Sequence, residues 1–287
     1  MTPPPSPATA APPVPAVGPA RRSRMGTMLN KVPEVTLYFW IIKILATTVG
    51  ETAADYLNVD LGFGLNGTTY VVSALLAIAL GFQFNLRRYV PGVYWTAVVL
   101  ISVVGTLITD NLTDVFEVPL TTSTVAFAVA LAVTFAVWYV KERTLSIHTI
   151  VTSTREAFYW LAILFTFALG TAAGDLLAER VNIGYGLSAI VFGAAIAAVA
   201  VAHFGFGLNS VLSFWLAYIL TRPLGASMGD LLSQAKVDGG LGLGTTATSA
   251  VFLAAIVVAV IYLTVTRRDA TEVVRGGGEP EPEPVAA

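Results

Sequence analysis

The sequence predicts an all-α integral membrane protein with eight transmembrane helices, built from four parallel two-helix repeats. Three observations predict this fold class. Hydrophobic residues make up 55% of the 287 residues and charged residues only 12%, with a mean hydropathy of +0.75, whereas a soluble protein carries about 25% charged residues. The apolar residues form runs long enough to cross a bilayer. One motif also recurs four times along these runs.

Composition also excludes several classes of function. The net charge is -2 and the isoelectric point about 5.7, so no basic face is available for a nucleic-acid backbone. Cysteine is absent, and His148 and His203 are the two histidines. The HExxH signature of zinc hydrolases is also missing. We therefore expect no enzyme activity, no cofactor and no nucleic-acid partner.

The chain divides into two tails and two halves. Residues 1–32 are predicted to form a disordered Pro/Ala-rich tail, and residues 269–287 a second disordered tail. The first tail is not expected to be a signal peptide, because its arginines follow the prolines. Residues 33–150 hold the first repeat pair, helices 1–4. Residues 151–268 hold the second pair, helices 5–8.

Each predicted span is an apolar run of about 20 residues, the length that a helix needs to cross the hydrocarbon core. The weakest boundary separates the sixth span from the seventh, where only a turn-like segment at 203–209 interrupts a stretch without charge. The predicted spans are 35–56, 67–86, 90–112, 119–140, 157–177, 187–203, 208–232 and 245–266.

Orientation follows from the distribution of basic residues among the loops, since lysine and arginine concentrate on the cytoplasmic side. One side of the predicted topology carries only Arg180 and Lys236. The opposite side carries Arg21, Arg22, Arg24, Lys31, Arg87, Arg88, Lys141, Arg143, Arg155, Arg267, Arg268 and Arg275. We therefore expect a multi-pass protein of the bacterial plasma membrane with both termini in the cytoplasm.

An internal repeat organises the spans. Each odd helix carries the motif [FY]-W-x9-G-x4-D-x-L without insertion. Its tryptophans are Trp40, Trp95, Trp160 and Trp215, its glycines Gly50, Gly105, Gly170 and Gly225, and its aspartates Asp55, Asp110, Asp175 and Asp230. The first half maps onto the second by a shift of 120 residues, which indicates a duplication of a duplication. Because every unit has two spans, all four units point the same way.

With this motif the chain resembles a bacterial membrane-protein family of four tandem repeats of unknown function, each with two transmembrane helices and a characteristic tryptophan. The opening Lys31-Val-Pro-Glu-Val-Thr36 and the stretch Gly50-Glu-Thr-Ala-Ala-Asp55 look like the first repeat of that family. The resemblance covers residues 31–268. It implies the fold but no reaction, so the functional hypothesis comes from the residues.

Two motif positions suggest packing roles. The tryptophan begins each odd helix, where it is expected either in the aromatic belt of the interface or in contacts between repeats. The glycine is expected to let neighbouring helices approach closely.

A polar stripe runs along each odd helix at 7, 11 and 15 residues after the tryptophan, which places its members on one face. The stripes are Thr47, Glu51 and Asp55; Ser102, Thr106 and Asp110; Phe167, Thr171 and Asp175; and Arg222, Ala226 and Asp230. Lys43 extends the first stripe by one turn. Charges in lipid are costly, so the stripes are expected to face one another or a wet cavity.

Two interpretations of the stripes remain open. The aspartates can cap helix ends in the headgroup zone, or they can border one polar cavity. In the second interpretation the cavity is lined by Lys43, Thr47, Glu51, Asp55, Thr106, Asp110, Thr171, Asp175, Arg222 and Asp230. Lys43 and Arg222 are the natural counter-charges there. Candidate metal ligands are Glu51, Asp55, Asp110, Asp175 and Asp230, because hard cations prefer carboxylate oxygens.

The second interpretation predicts a transporter or channel for a small cation or a proton-coupled solute, with the bilayer and a small ion or solute as partners. The alternatives are a membrane scaffold or sensor that only packs helices and, with less support, an intramembrane enzyme.

Overall fold

The computed structural model of the chain describes residues 30–269, so the tails expected at 1–32 and 269–287 lie mostly outside it. Within this range the regular structure is entirely helical. The eight long helices are α1 (Leu37–Asp55), α2 (Gly64–Asn85), α3 (Pro91–Asp110), α4 (Leu120–Glu142), α5 (Ser153–Asp175), α6 (Gly184–Phe206), α7 (Ser210–Ser233) and α8 (Thr245–Thr266). Residues 30–32 of the expected first tail are buried instead of disordered.

The odd helices begin at identifiable signals. The hydroxyl of Thr36 accepts from the backbone N–H of Phe39 at 3.4 Å and caps α1. Asn209 caps α7 in the same way, and α3 opens on Pro91, which tolerates the first turn because it needs no hydrogen-bond partner there. Together with the Thr152 cap on α5, these signals place the motif tryptophan among the first eight residues of each odd helix.

The first three odd helices also end alike. Asp55, Asp110 and Asp175 are the last α-helical residues, and each is followed by a single π-helical turn, at Tyr56–Asp60, Asn111–Val115 and Leu176–Arg180. The fourth repeat differs, because α7 continues past Asp230 to Ser233. We call the end of the bundle that carries the four motif aspartates the aspartate end, and the opposite end the tryptophan end.

The four odd helices form a closed inner ring in the order α1, α3, α5, α7 and back to α1. The even helices lie outside it: α2 packs on α3, α4 on α5, α6 on α7, and α8 returns to α1. Each even helix therefore packs on the odd helix of the next repeat, and α8 closes the circle. The odd helices run parallel, since equivalent motif positions meet around the ring.

The motif glycines make this ring tight. A Cβ added to Gly50, Gly105, Gly170 or Gly225 would overlap a side chain of the next odd helix. The overlapped residues are Ser102, Phe167, Arg222 and Thr47 respectively, which all occupy one motif position, seven residues after the tryptophan. The same contact is thus made four times, and small residues allow this close approach of helices in lipid.

Six of the eight helices are long and apolar enough to cross a membrane. They are all four even helices together with α3 and α5, and the even helices expose most of their apolar surface, as lipid-facing helices do. Expected spans one and seven do not meet this criterion within residues 30–269. The physical reason is that α1 carries Lys43, Glu51 and Asp55, whereas α7 carries Arg222 and Asp230.

Candidate functional site

An aromatic layer closes the ring at the tryptophan end. The aromatic residue before each motif tryptophan packs on the tryptophan of the next repeat, with ring centroids 5.5 to 6.3 Å apart. The four pairs are Phe39 with Trp95, Tyr94 with Trp160, Tyr159 with Trp215, and Phe214 with Trp40. The hydroxyls of Tyr94 and Tyr159 also lie 2.5 Å apart.

The motif tryptophans therefore pack between repeats. Trp95, Trp160 and Trp215 are at most 3% exposed, which excludes the interfacial belt for these three. Trp40 is half-buried and differs from its equivalents.

Lys43 lies one layer further into the bundle. It is fully buried, and its Nζ lies 4.1 Å from the ring centroids of both Phe167 and Tyr218. Among the described residues this Nζ has no hydrogen-bond partner. Two aromatic faces stabilise an ammonium by cation–π attraction, but they do not replace the hydrogen bonds that water provides. Lys43 is also close enough to Arg222 for the two cations to repel each other.

Arg222 occupies the centre of the ring. Its Nη2 forms a buried ion pair with Glu51 at 2.8 Å and donates to the hydroxyl of Thr171 at 2.7 Å and to that of Thr106. Its Nη1 donates to the carbonyl oxygen of Thr47 at 3.1 Å. One guanidinium on α7 thus contacts α1, α3 and α5. This fork of donors suits arginine, whose five N–H groups lie in fixed directions.

The structure thus brings together five of the residues predicted for a polar cavity, namely Thr47, Glu51, Thr106, Thr171 and Arg222. All five are buried. The counter-charge expected for Glu51 is Arg222, whereas Lys43 faces aromatic rings instead of an acid.

The motif aspartates form the last layer, at the aspartate end. Asp55, Asp110 and Asp175 are half-buried, and Asp230 is 8% exposed. The carboxyl group of Asp110 lies within electrostatic range of those of Glu51, Asp55 and Asp175. Their proximity does not amount to a metal cluster: across residues 30–269, no three His, Cys, Asp or Glu side chains come close enough to hold a metal ion.

A second buried ion pair lies near the tryptophan end and was not predicted. Lys31 Nζ lies 2.6 Å from Glu156 Oε2, and both side chains are completely buried. Lys31 also donates to the carbonyl of Phe84 at 3.0 Å, while the amide of Gln83 donates to Glu156 at 3.1 Å. Lys31 was expected among the basic residues of the cytoplasmic side, but it is buried and paired with an acid. The sequence signal was weak, because either residue alone looks like a surface charge.

The residues after α8 fold back onto the same end of the bundle. The hydroxyl of Tyr89 donates to Asp269 at 2.6 Å, and the backbone N–H of Glu34 donates to the Asp269 carbonyl. Burial raises the pKa of the Asp269 carboxyl, and the hydrogen bond from Tyr89 opposes that rise. Segments 30–34 and 267–269 therefore belong to the packed structure.

A family model described as Repeat of Unknown Function (DUF347) matches four segments, at residues 38–89, 93–144, 158–207 and 213–269. Each match begins just before a motif tryptophan and continues to the end of the following even helix. No curated protein and no solved structure matches the chain. Because the four matches cover most of its length, this chain belongs to the DUF347 family of tandem repeats.

Proposed function

We propose that this protein is a membrane transporter that moves a small cation, or a solute together with protons, along the axis of the odd-helix ring. The observation that carries this proposal is the position of Arg222. Its guanidinium holds Glu51 and the hydroxyls of two further repeats at one point on that axis. All four repeats therefore meet at a single charged site.

The energetic cost of this site supports a functional role. Each charge placed at the centre of a membrane helix costs at least about 2.5 kcal/mol on insertion scales. A scaffold has no need of such charges, because well-packed apolar residues of similar volume stabilise a core as well as a buried ion pair, or better. Lys43, Glu51 and Arg222 are all buried on α1 and α7, the two long helices that are not apolar enough to meet the criterion for a membrane span.

The proposal includes α1 and α7 as transmembrane helices, which makes eight spans. Their charged side chains point into the ring and not towards lipid, so low hydropathy does not prevent them from crossing. Following the basic bias of the loops, we place the tryptophan end and both termini in the cytoplasm, and the aspartate end outside.

In this arrangement the four aspartates attract cations towards the outer mouth. A cation or proton that reaches Glu51 competes with Arg222 for the same carboxylate, which links arrival at the site to breaking the central ion pair. The aromatic layer closes the other end of the axis. A continuously open channel fits poorly with these two barriers, whereas a carrier that opens to one side at a time fits well.

Flux in proteoliposomes tests the proposal. Wild-type protein is reconstituted into liposomes, and uptake of monovalent cations, divalent cations and small organic solutes is measured with and without a pH gradient. We expect uptake of at least one substrate, and its loss in Glu51→Gln. The matched control is Glu117→Gln, which neutralises an exposed acid outside the ring and should transport normally. Full flux in Glu51→Gln, or no flux of any kind, would favour a scaffold or sensor.

A further inference from the structure

Each even helix has a row of residues that faces inwards. This row is largely buried in the first, second and fourth repeats and largely uncovered in the third. In α2 the row is Thr68, Val72, Leu76, Ala79 and Gln83, and in α4 it is Ser123, Phe127, Leu131, Thr134 and Trp138. All ten residues are buried, and α8 buries Thr248, Ile256 and Leu263 in the same way. In α6 only the first member, Ser188, is buried. The next four, Phe192, Ile196, Val199 and His203, are half-buried.

The open part of this row lines a cavity of about 620 Å³ between α1, α6, α7 and the loop 145–148. A cavity of this size falls in the range of small-ligand sites, about 300–1,000 Å³. Its presence explains why Trp40 is the half-buried member of the motif tryptophans, because Trp40 forms part of the wall.

Comparison with the equivalent junction shows what fills the space elsewhere. Gln83, Trp138 and His203 each follow their motif tryptophan by 43 residues. The indole of Trp138 fills the junction between α4 and α7, with its ring 5.9 Å from that of Trp215. At the junction between α6 and α1, His203 instead turns to the carbonyl of Leu208, 2.8 Å from its Nδ1, and leaves Trp40 uncovered.

We propose that this cavity binds one acyl chain of a membrane phospholipid, with the phosphate headgroup at its mouth. The deep wall is apolar and includes Ile44, Ile196, Val199 and Ala217. The mouth carries polar groups on His148, His203, Ser146 and Ser210. The serine hydroxyls can donate to phosphate oxygens, and a protonated His203 can donate from its Nε2 while its Nδ1 stays on the Leu208 carbonyl. A cavity with an apolar wall and hydrogen-bonding groups at one end matches the apolar chain and the polar headgroup of a lipid.

Position in the bundle selects a lipid over other ligands. The mouth lies where α1 and α7 begin and α6 ends, which is the level of the bilayer surface. The helix that forms the outer wall, α6, is the most exposed of the apolar helices, with only 6% of its span buried. Behind such an exposed helix the cavity lies next to the hydrocarbon, where acyl chains are the abundant apolar molecules. This inference requires a membrane protein but not transport.

Fluorescence quenching by lipids brominated in the acyl chain tests the site, because bromine quenches only tryptophans in contact with it. Trp138 is fully buried and Trp95, Trp160 and Trp215 nearly so, which leaves the half-buried Trp40 as the accessible reporter among the five tryptophans. Purified protein in an unbrominated detergent is titrated with brominated phosphatidylglycerol. We expect saturable quenching that disappears in Trp40→Phe.

A matched pair of substitutions separates the cavity from general lipid contact. Ala200→Phe places a ring in the cavity and should abolish the saturable quenching, whereas Ala198→Phe changes the outward face of the same helix and should preserve it. Equal melting temperatures of the two variants establish that both are folded. Quenching that never saturates, or that survives in Ala200→Phe, overturns the proposal.

The headgroup is tested by its own comparison. Brominated diacylglycerol, which lacks phosphate, should bind about tenfold more weakly than the phospholipid, the effect of losing hydrogen bonds to a charged group. The free fatty acid, whose carboxylate offers only two acceptor oxygens to the same donors, should also bind more weakly than the phospholipid. The double variant His203→Ala/Ser210→Ala should weaken phospholipid binding to the level of diacylglycerol. Equal affinity for all three molecules in the wild-type protein, or tighter binding of the fatty acid, overturns the assignment to a phospholipid.

Discussion

Replacing Arg222 with methionine tests the central ion pair most directly. Methionine keeps an unbranched chain of similar length against Gly170, so the helix contact survives while the charge is lost. Glu51 then loses its partner at 2.8 Å, and the hydroxyls of Thr106 and Thr171 lose a donor. Removing one member of a buried ion pair costs about 3–5 kcal/mol. We expect Arg222→Met to lower the free energy of unfolding by that amount.

The double variant Glu51→Gln/Arg222→Met distinguishes an unpaired charge from lost packing. Because this variant has no buried carboxylate without a partner, it should regain most of the lost stability. Its free energy of unfolding should lie within about 1.5 kcal/mol of the wild-type value. The assay is denaturant or thermal unfolding of the purified protein in one mild detergent. The control, Arg180→Met, removes an exposed arginine and should change stability by less than about 0.5 kcal/mol.

Two results would refute this reasoning. If Arg222→Met is as stable as wild type, the guanidinium is not the buried partner of Glu51. If the double variant is no more stable than the single one, the loss comes from packing, and the charge at the centre has no energetic consequence of its own.

Four further predictions test other parts of the molecule. Cysteine labelling, convenient in a chain without native cysteine, should report positions 60, 115, 181 and 238 outside and 88, 143 and 205 inside; a terminus outside would contradict the parallel repeats. Leucine at any motif glycine should cost about 1–3 kcal/mol by overpacking, whereas Gly193→Leu, which meets open space, should melt like wild type. Asp55→Asn and Asp175→Asn should each abolish flux while the protein still folds; full flux in both would return these residues to a capping role. Lys31→Met should destabilise by about 3–5 kcal/mol, because Glu156 is left buried without its cation, and an unchanged melting temperature would show that the pair contributes nothing.

The repeat was the most informative feature of the sequence for predicting the fold. The helix expected at 245–266 is found at Thr245–Thr266, and the helix expected at 208–232 is found at Ser210–Ser233. The interval from tryptophan to glycine to aspartate is rigid on a helix, so it also predicts which residues share the inner face. The motif does not predict the order of the helices around the ring, because four identical motifs do not specify which neighbouring helix each one contacts.

Part of the candidate site could be predicted as well, because the repeat motif indicates which residues share the inner face of each odd helix. Arg222 and Glu51 occupy stripe positions, and the cost of charge in lipid predicts that they face inwards. Lys31 and Glu156 lie outside the repeat motif, 125 residues apart, and each borders a basic loop where charge is ordinary. Hydropathy cannot distinguish a buried charge near a helix end from a solvated one. Gln83, a polar residue near the end of α2, is buried in the same cluster and donates to Glu156.

The way in which the four repeats diverge follows the depth of each layer. At the aspartate end, where three of the four carboxyl groups are half-buried, all repeats keep the same residue. One layer deeper, the equivalent residues are Glu51, Thr106, Thr171 and Ala226, and the first three share a single cation supplied by Arg222. Four acids at that depth would repel one another without screening by water. One acid and two hydroxyls instead all pair with the one guanidinium. Among the charged positions, fourfold symmetry is thus retained at the aspartate end and lost where the charge is fully buried, which is the arrangement expected if an acidic mouth leads to one asymmetric binding site.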